Sequence, residues 1–329
     1  MANIPVDPAL TLWTTADDQN SYSFVTESDP FVSTLQATGS TSKNFTKPIS
    51  SLGHLHRNIN RISNARLEEL SETLFNKDAN NAWRYIKIHL QNQTTKNSSI
   101  DRAPESLLNV DPEAFQIPTI RCILQMYDNY HLDTRRREII TPDHKKEQDS
   151  LLDSFLSTDV MNIAMQFLSD NHYLPRNQSH YKKTLSTLWF SPYGRGGGKD
   201  SSSGFEHVFL NELRKGRHVL GLHNWIYFHS MENIRRANYL GYLRKIDLGD
   251  KAAILSLHFT FDSHDKPITS IFIGTSPELE MALYTICFYA RRGKKCKLSL
   301  GGSKFKIITY ELKYKDKTLP VIGSAYPLM

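Results

Sequence analysis

Thirteen histidines are spread along the 329 residues, and two of them sit in unusual company. His207 lies in Gly204-Phe205-Glu206-His207-Val208-Phe209 and His223 in Gly221-Leu222-His223-Asn224-Trp225, both within apolar runs that read as β-strands. A lone histidine in such a place is more often a hydrogen-bonded structural residue. Two on neighbouring strands, with Lys266 as a third candidate, shift the balance towards chemistry. Imidazole has an ordinary pKa of about 6.5, so near neutral pH one ring can be neutral while another is charged. A base, an acid and a fixed ammonium are what cleavage of a phosphodiester by a neighbouring hydroxyl requires, as in RNA. The base takes the 2′-hydroxyl proton, the acid protonates the departing 5′-oxygen, and the cation offsets charge on the phosphorane.

Other chemistries find less support. Gly194-Arg-Gly-Gly-Gly-Lys-Asp200, inside the glycine- and serine-rich stretch 194–204, reads as a flexible loop that would tolerate phosphate. It is not a P-loop: the glycine-to-lysine spacing is one residue short, and Asp200 stands where Ser or Thr belongs. Cys122, Cys287 and Cys296 are scattered, without zinc spacing or a disulfide framework, and read as reduced thiols. No G-x-S-x-G motif of an acyl hydrolase occurs.

Four segments in order, GFEHVFLNE (204–212), HNW (223–225), KPITSIFIGTSPELEMALYT (266–285) and GSAYP (323–327), resemble the EndoU family of uridylate-preferring endoribonucleases. The resemblance covers roughly residues 57–329 and is strongest from Ser203 onward. LFNKDANNAWRYIKIHLQ (74–91) is similar to the family's helical stretch, with Asn81 where many members carry arginine. By matching position the resemblance implies His207 and His223 as the acid–base pair and Lys266 as the third catalytic residue. It leaves open which histidine is the base; analogy within the family favours His223 as base and His207 as acid. It implies Ser270 and Tyr326 as uracil contacts, and Glu206 and Glu212 as carboxylates that orient the histidines or hold a divalent ion. The implied activity is cleavage of single-stranded RNA at uridylates, leaving a 2′,3′-cyclic phosphate, with Mn2+ as the stimulating ion and Ca2+ as the alternative. Two other readings stand beside it. One is a catalytically weak RNA-binding or scaffold protein on the same fold. The other is a metal-dependent phosphodiesterase with its metal on Glu206 and Glu212.

Composition and pattern supply the frame that must position these groups. Hydrophobic residues make up 39% and charged residues 22%, ordinary for a globular protein. No apolar run approaches the roughly 20 residues that span a bilayer, so stable membrane insertion is not expected. The net charge is +6, which suits a polyanionic partner. Residues 1–56 carry a net of −3 and residues 291–317 a net of +8, with ten Lys or Arg against Glu311 and Asp316. The N-terminus has neither the basic nor the apolar segment of a secretory signal, which with the cysteine reading predicts an intracellular, cytoplasmic protein. Asn177-Gln-Ser is one of three matches to the glycosylation pattern.

Residues 1–56, rich in Ser, Thr, Asp, Asn and Pro, read as a poorly ordered arm. Residues 57–193 read as a helical region. Ile62, Ala65, Leu67, Leu70, Leu74 and Phe75 mark one amphipathic helix, and Trp83, Ile86, Ile88 and Leu90 another packed element. A further helix opens at Pro118, and one long helix is expected from Pro142 through Leu168. Residues 194–329 read as a β-rich catalytic region: HVFL, VLGLHNWIYFH, LGYLRKI, AILSLHFTF, ITSIFIG, KLSL, FKIITYEL and LPVIGSAY are β-type runs. One helix interrupts them, capped by Ser276 with Pro277 at its first position. Helices followed by strands predict an α+β fold with a mainly antiparallel C-terminal sheet.

Overall fold

The computed structural model describes residues 62–195, 198–314 and 319–329, so the arm expected at 1–56 lies outside the described residues. The chain enters through α1 (Asn64–Asn76), capped by Ser63, whose hydroxyl accepts from the Arg66 amide at 3.1 Å. A short 3-10 turn over Trp83–Tyr85 leads into β1 (Ile86–Ile88), paired with β2 (Leu108–Val110). Then come α2 (Pro118–Leu124), α3 (Pro142–Leu156), α4 (Asp159–Asp170) and α5 (Gln178–Phe190).

The long helix expected from Pro142 to Leu168 is two helices. Thr158 takes up an extended conformation between them, and its hydroxyl accepts from the Met161 amide at 3.2 Å to start α4. The apolar three-and-four spacing runs through the break because both helices present the same kind of face to one core. The sequence pattern marks no helix at α5. Its N-cap is Asn177, whose side chain accepts from the amides of Ser179 and His180.

The glycine-rich stretch forms a hairpin, β3 (Tyr193–Arg195) and β4 (Gly198–Ser202), where a flexible loop was expected. Next come α6 (Gly204–Phe209), β5 (Asn211–Arg214), β6 (His218–Gly221) and α7 (Trp225–Asn233). Residue type predicts strands at HVFL and VLGLHNWIYFH, but the first belongs to α6, and the second is β6 followed by α7. Both helices are buried on every side, so neither shows the one-sided stripe that marks a helix in sequence. Each is started by a cap instead. Ser203 accepts from the Glu206 amide at 3.2 Å. Asn224 accepts from the amides of Ile226 and Tyr227 at 3.1 and 3.2 Å.

The rest follows the pattern closely. β7 (Ala237–Leu248), β8 (Ala252–Phe261) and β9 (His264–Ile273) form one antiparallel sheet. α8 (Pro277–Arg291) follows, and β10 (Cys296–Leu300), β11 (Ser303–Tyr314) and β12 (Leu319–Leu328) form a second antiparallel sheet. The fold is therefore α+β, with antiparallel strands in the C-terminal half. α8 is buried over most of its length, packed chiefly on α4 and on β11 of the second sheet. Phe272 of β9 meets Phe305 of β11 edge to face, with centroids 5.6 Å apart, so the two sheets share one core.

Cys287 of α8 and Cys296 of β10 form a disulfide, with Cα atoms 5.7 Å apart. This overturns the reading of three reduced thiols. The turn between α8 and β10 folds the chain back on itself, a proximity that a separation of nine residues does not reveal. Cys122 alone is free. The cysteine count no longer argues for a reducing compartment.

Candidate active site

α6, the β6–α7 turn, β9 and β12 converge on the residues singled out above. Gly204 opens α6 hard against β12: a Cβ there would lie 2.6 Å from the Ile322 carbonyl oxygen. That close approach fixes where His207, one turn later, projects. The β6–α7 turn is then stitched to the end of α6 by main-chain hydrogen bonds. The Leu222 amide donates to the carbonyls of His207 (3.2 Å) and Leu210 (2.9 Å), and the His223 amide donates to Val208 (2.9 Å). Gly221 (φ +71°) and Leu222 (φ +61°) are both left-handed, the tight conformation that brings His223 back over α6. The two imidazoles end with centroids 6.0 Å apart.

Each ring is held by its Nδ1. His207 Nδ1 is 3.1 Å from Glu212 Oε2, the carboxylate of β5. Glu212 is fully buried, forms an ion pair with Arg195 Nε at 2.9 Å and accepts from the Ser202 hydroxyl. Burial pushes its carboxyl up, but Arg195 and His207 beside it outweigh that and hold it below the ordinary carboxylate range. Burial opposes the Arg195 charge, yet Tyr193 and Glu212 more than offset this, so it stays protonated.

His223 Nδ1 is 3.1 Å from both the Ser270 carbonyl oxygen and the Thr269 hydroxyl oxygen. The Thr269 hydroxyl donates its own hydrogen to the Leu222 carbonyl at 2.8 Å. Both neighbours of Nδ1 are therefore acceptors, which puts the proton on Nδ1 and leaves Nε2 with the lone pair. Tyr326 of β12 stacks on the His223 ring, 4.8 Å between centroids and 24° between planes.

Burial, then the positive charge of Arg195, lowers the pKa of His207 to about 4 despite Glu212. Burial, His207 and Lys266 push His223 well below the ordinary value. In the free protein both rings therefore favour the neutral form. Lys266 is half-buried on β9, donates to the Val219 carbonyl at 3.1 Å, and its charge acts on both imidazoles. The structure thus places His207, His223 and Lys266 within electrostatic reach of one another. Ser270 lies behind His223 through its main chain, and Tyr326 lies on its face.

Glu206 is different in kind. Its carboxyl is fully buried, and neither oxygen has a hydrogen-bond partner among the described residues. Burial, then Glu212 and Glu138, drives its pKa far up, so it is held neutral. Glu138 is raised to about 7, chiefly by burial. A divalent cation needs several ionised oxygens with open lone pairs. Burial and the neighbouring carboxylates disfavour the charged form of Glu206, and both Glu212 oxygens are already engaged. Among the described residues no group of three or more His, Cys, Asp or Glu is arranged to hold a metal. As arranged, the pair does not form a divalent-ion site, and of the two carboxylates Glu212 is the one placed at the His207 ring.

Several contributors were not legible in sequence. Thr269 sits beside the noted Ser270 and looked like any strand threonine. Arg195 lay in a segment read for phosphate tolerance, and only the β3–β4 hairpin carries it to Glu212. Glu138, 74 residues before Glu212, carried no sequence signal at all.

Comparison with known proteins supplies the family. The family model described as Endoribonuclease XendoU matches residues 66–327. A Drosophila melanogaster protein, "Uridylate-specific endoribonuclease EndoU", is 36% identical over 78% of this chain and 81% of its own length. A Mus musculus "Uridylate-specific endoribonuclease" is 35% identical over 80% of this chain. The match spans only 64% of the mouse protein, so that relative has substantial sequence beyond it. Among solved structures, "The structure of XendoU: a splicing independent snoRNA processing endoribonuclease" superposes with a TM-score of 0.68 at 31% identity. That match covers 80% of this chain and 96% of the other. The chain belongs to the XendoU family of endoribonucleases.

Proposed function

We propose that this protein cleaves single-stranded RNA at uridylates by acid–base transesterification, with His223 as base, His207 as acid and Lys266 as the electrostatic partner. The observation that carries the reading is the pair of neighbouring imidazoles with unlike supports, one backed by a carboxylate and the other by neutral oxygens. His223, with its proton on Nδ1, presents Nε2 to take the 2′-hydroxyl proton. The 2′-oxygen then bonds to phosphorus and the bond to the 5′-oxygen breaks, leaving a 2′,3′-cyclic phosphate. The departing oxygen takes its proton from Nε2 of His207. Glu212 favours the imidazolium of His207, and the phosphate anion of the substrate adds the negative charge that the free site lacks. Lys266 offsets charge on the phosphorane.

The uridylate preference follows the names of the fly and mouse relatives. Ser270 and Tyr326 are assigned to the base, the serine by hydrogen bonding and the tyrosine by stacking. No step is routed through a metal. Stimulation by Mn2+, or by Ca2+, is assigned to ions held by RNA phosphates together with surface carboxylates.

The test is incubation with an oligonucleotide containing one uridine, in EDTA or Mn2+, followed by analysis of the 3′ end. A cyclic phosphate after uridine is expected; a free 3′-hydroxyl sinks the mechanism. Bound but uncut RNA would favour the scaffold alternative. Ser270→Ala is expected to relax preference for uridine more than it slows cutting, and an equally selective variant removes Ser270 from recognition.

Glu212→Gln gives a pH test. The carboxylate raises the His207 pKa, so its loss lowers it, and the acid must be protonated to act. The fall in kcat with rising pH is therefore expected to begin at lower pH in the variant. An unmoved limb detaches Glu212 from the acid. Thermal melting should also drop, because Arg195 is left buried without its carboxylate, which typically costs about 3–5 kcal/mol.

A further inference from the structure

The sheet β10–β11–β12 has two unlike faces. Phe305, Ile307 and Thr309 of β11 point into the core. Alternation places Lys306, Ile308 and Tyr310 on the opposite face, and the register sets them across from Leu328, Tyr326 and Ser324 of β12. Tyr326, stacked on His223, therefore sits in the middle of this face. Tyr310 lies on one side of it, 48% exposed, with its ring centroid 6.2 Å from that of Tyr326 and the planes tilted by 30°. A half-exposed aromatic leaning on a second aromatic that itself stacks on His223 forms a ladder from the histidine pair to solvent.

On the other side of Tyr326 along β11 comes Lys306, and directly across from Lys306 on β10 is Lys297. Both are exposed. Like charges directly opposite on neighbouring strands destabilise a sheet. Neither lysine has an ion pair among the described residues, whereas Lys304 is paired with Glu68 at 2.9 Å and Arg292 with Glu311 at 3.2 Å. An unrelieved cation pair beside an aromatic ladder is the arrangement that tracks a single-stranded nucleic acid: rings accept bases and ammonium groups accept phosphates.

We propose that this face carries the RNA on both sides of the reacting nucleotide. Tyr310 stacks a base flanking one side of the cleaved linkage, and Lys306 with Lys297 holds backbone phosphate flanking the other. The proposal rests on the reading of the histidine pair as an RNA-cleaving site, but it concerns the neighbouring nucleotides. It narrows the basic C-terminal segment to two lysines and one tyrosine with stated partners.

The test uses the full chain and a fluorescently labelled 12-nucleotide RNA, 2′-O-methylated so that it binds without being cut. Tyr310→Ala is expected to weaken its binding roughly 5- to 150-fold, the range for loss of one base stack, and Tyr310→Trp to restore it. Lys297→Ala with Lys306→Ala is expected to flatten the slope of log affinity against log salt by about 1.4, two phosphate contacts on a single strand. Unchanged affinity in Tyr310→Ala, or an unchanged salt slope in the double variant, overturns the assignment of that subsite. Because binding is read without cleavage, weakened binding by a protein that fails to cut supports this face while refuting the proposed catalysis. Normal cutting with unaltered binding in the variants does the reverse.

Discussion

Alanine in place of His207 or His223 is expected to lower cleavage of a uridine-containing RNA by roughly 10²–10⁴-fold, the span for losing a general acid or base. The two variants should fall by comparable amounts, since base and acid act on the same phosphate, and the double variant should lose much less than the product of the two. Their supports make the pH behaviour distinct. His207 has a carboxylate at 3.1 Å, so it holds a proton more readily than His223, which faces only a carbonyl and a threonine oxygen. Losing His207 should therefore remove the limb in which activity falls as pH rises, and losing His223 the opposite limb. Neither substitution strips a partner from the core: Glu212 keeps Arg195 and Ser202, and Tyr326 keeps Tyr310. Thermal melting within a few degrees of the parent, with turnover lost, is the expected combination. Turnover near normal in either variant refutes its assignment.

A methyl group placed where no catalytic atom lies should do nearly as much damage. Gly221→Ala would put a Cβ 1.9 Å from the carbonyl oxygen of His207, and the glycine sits at φ +71°. Both effects oppose the substitution, and the atom in the way is backbone, so no side-chain rotation relieves it. Gly221 also immediately precedes Leu222, whose amide joins the β6–α7 turn to α6. The clash must separate the element bearing His207 from the turn bearing His223. A misplacement of about 1 Å between reacting groups costs on the order of 10²-fold in rate. A loss of that size in kcat is expected, with every titratable group intact. Gly221→Ala with parental kcat on the same RNA would mean that the stitched turn does not set the spacing of the rings. Circular dichroism separates a displaced site from a protein that no longer folds.

The sequence was most legible where local rules decide. Ser276 with Pro277 started α8 as expected, and the Val-, Ile-, Phe- and Tyr-rich runs of the last 93 residues became β7 to β12, because caps, prolines, turn residues and strand-forming side chains act within a few residues. It was least legible around the site itself. α6 and the start of α7 are short and wholly buried, so their apolar residues mimic a strand, and only the Ser203 and Asn224 caps distinguish them. The break at Thr158 was hidden for the related reason that one core accepts both helices.

The residue types needed for acid–base chemistry, their order along the chain and the antiparallel character of the C-terminal half were determined by the sequence alone. Tertiary structure alone decided how those residues meet. It brought two imidazoles 16 positions apart to a 6.0 Å separation, and it chose Glu212 for one ring and Thr269 for the other. It also joined Cys287 to Cys296 and brought Arg195 to the buried carboxylate. The physical reason is that composition and periodicity report which side of an element is buried. Hydrogen bonds, ring stacking and charge pairing across elements depend on register and close approach, which exist only once the chain has packed.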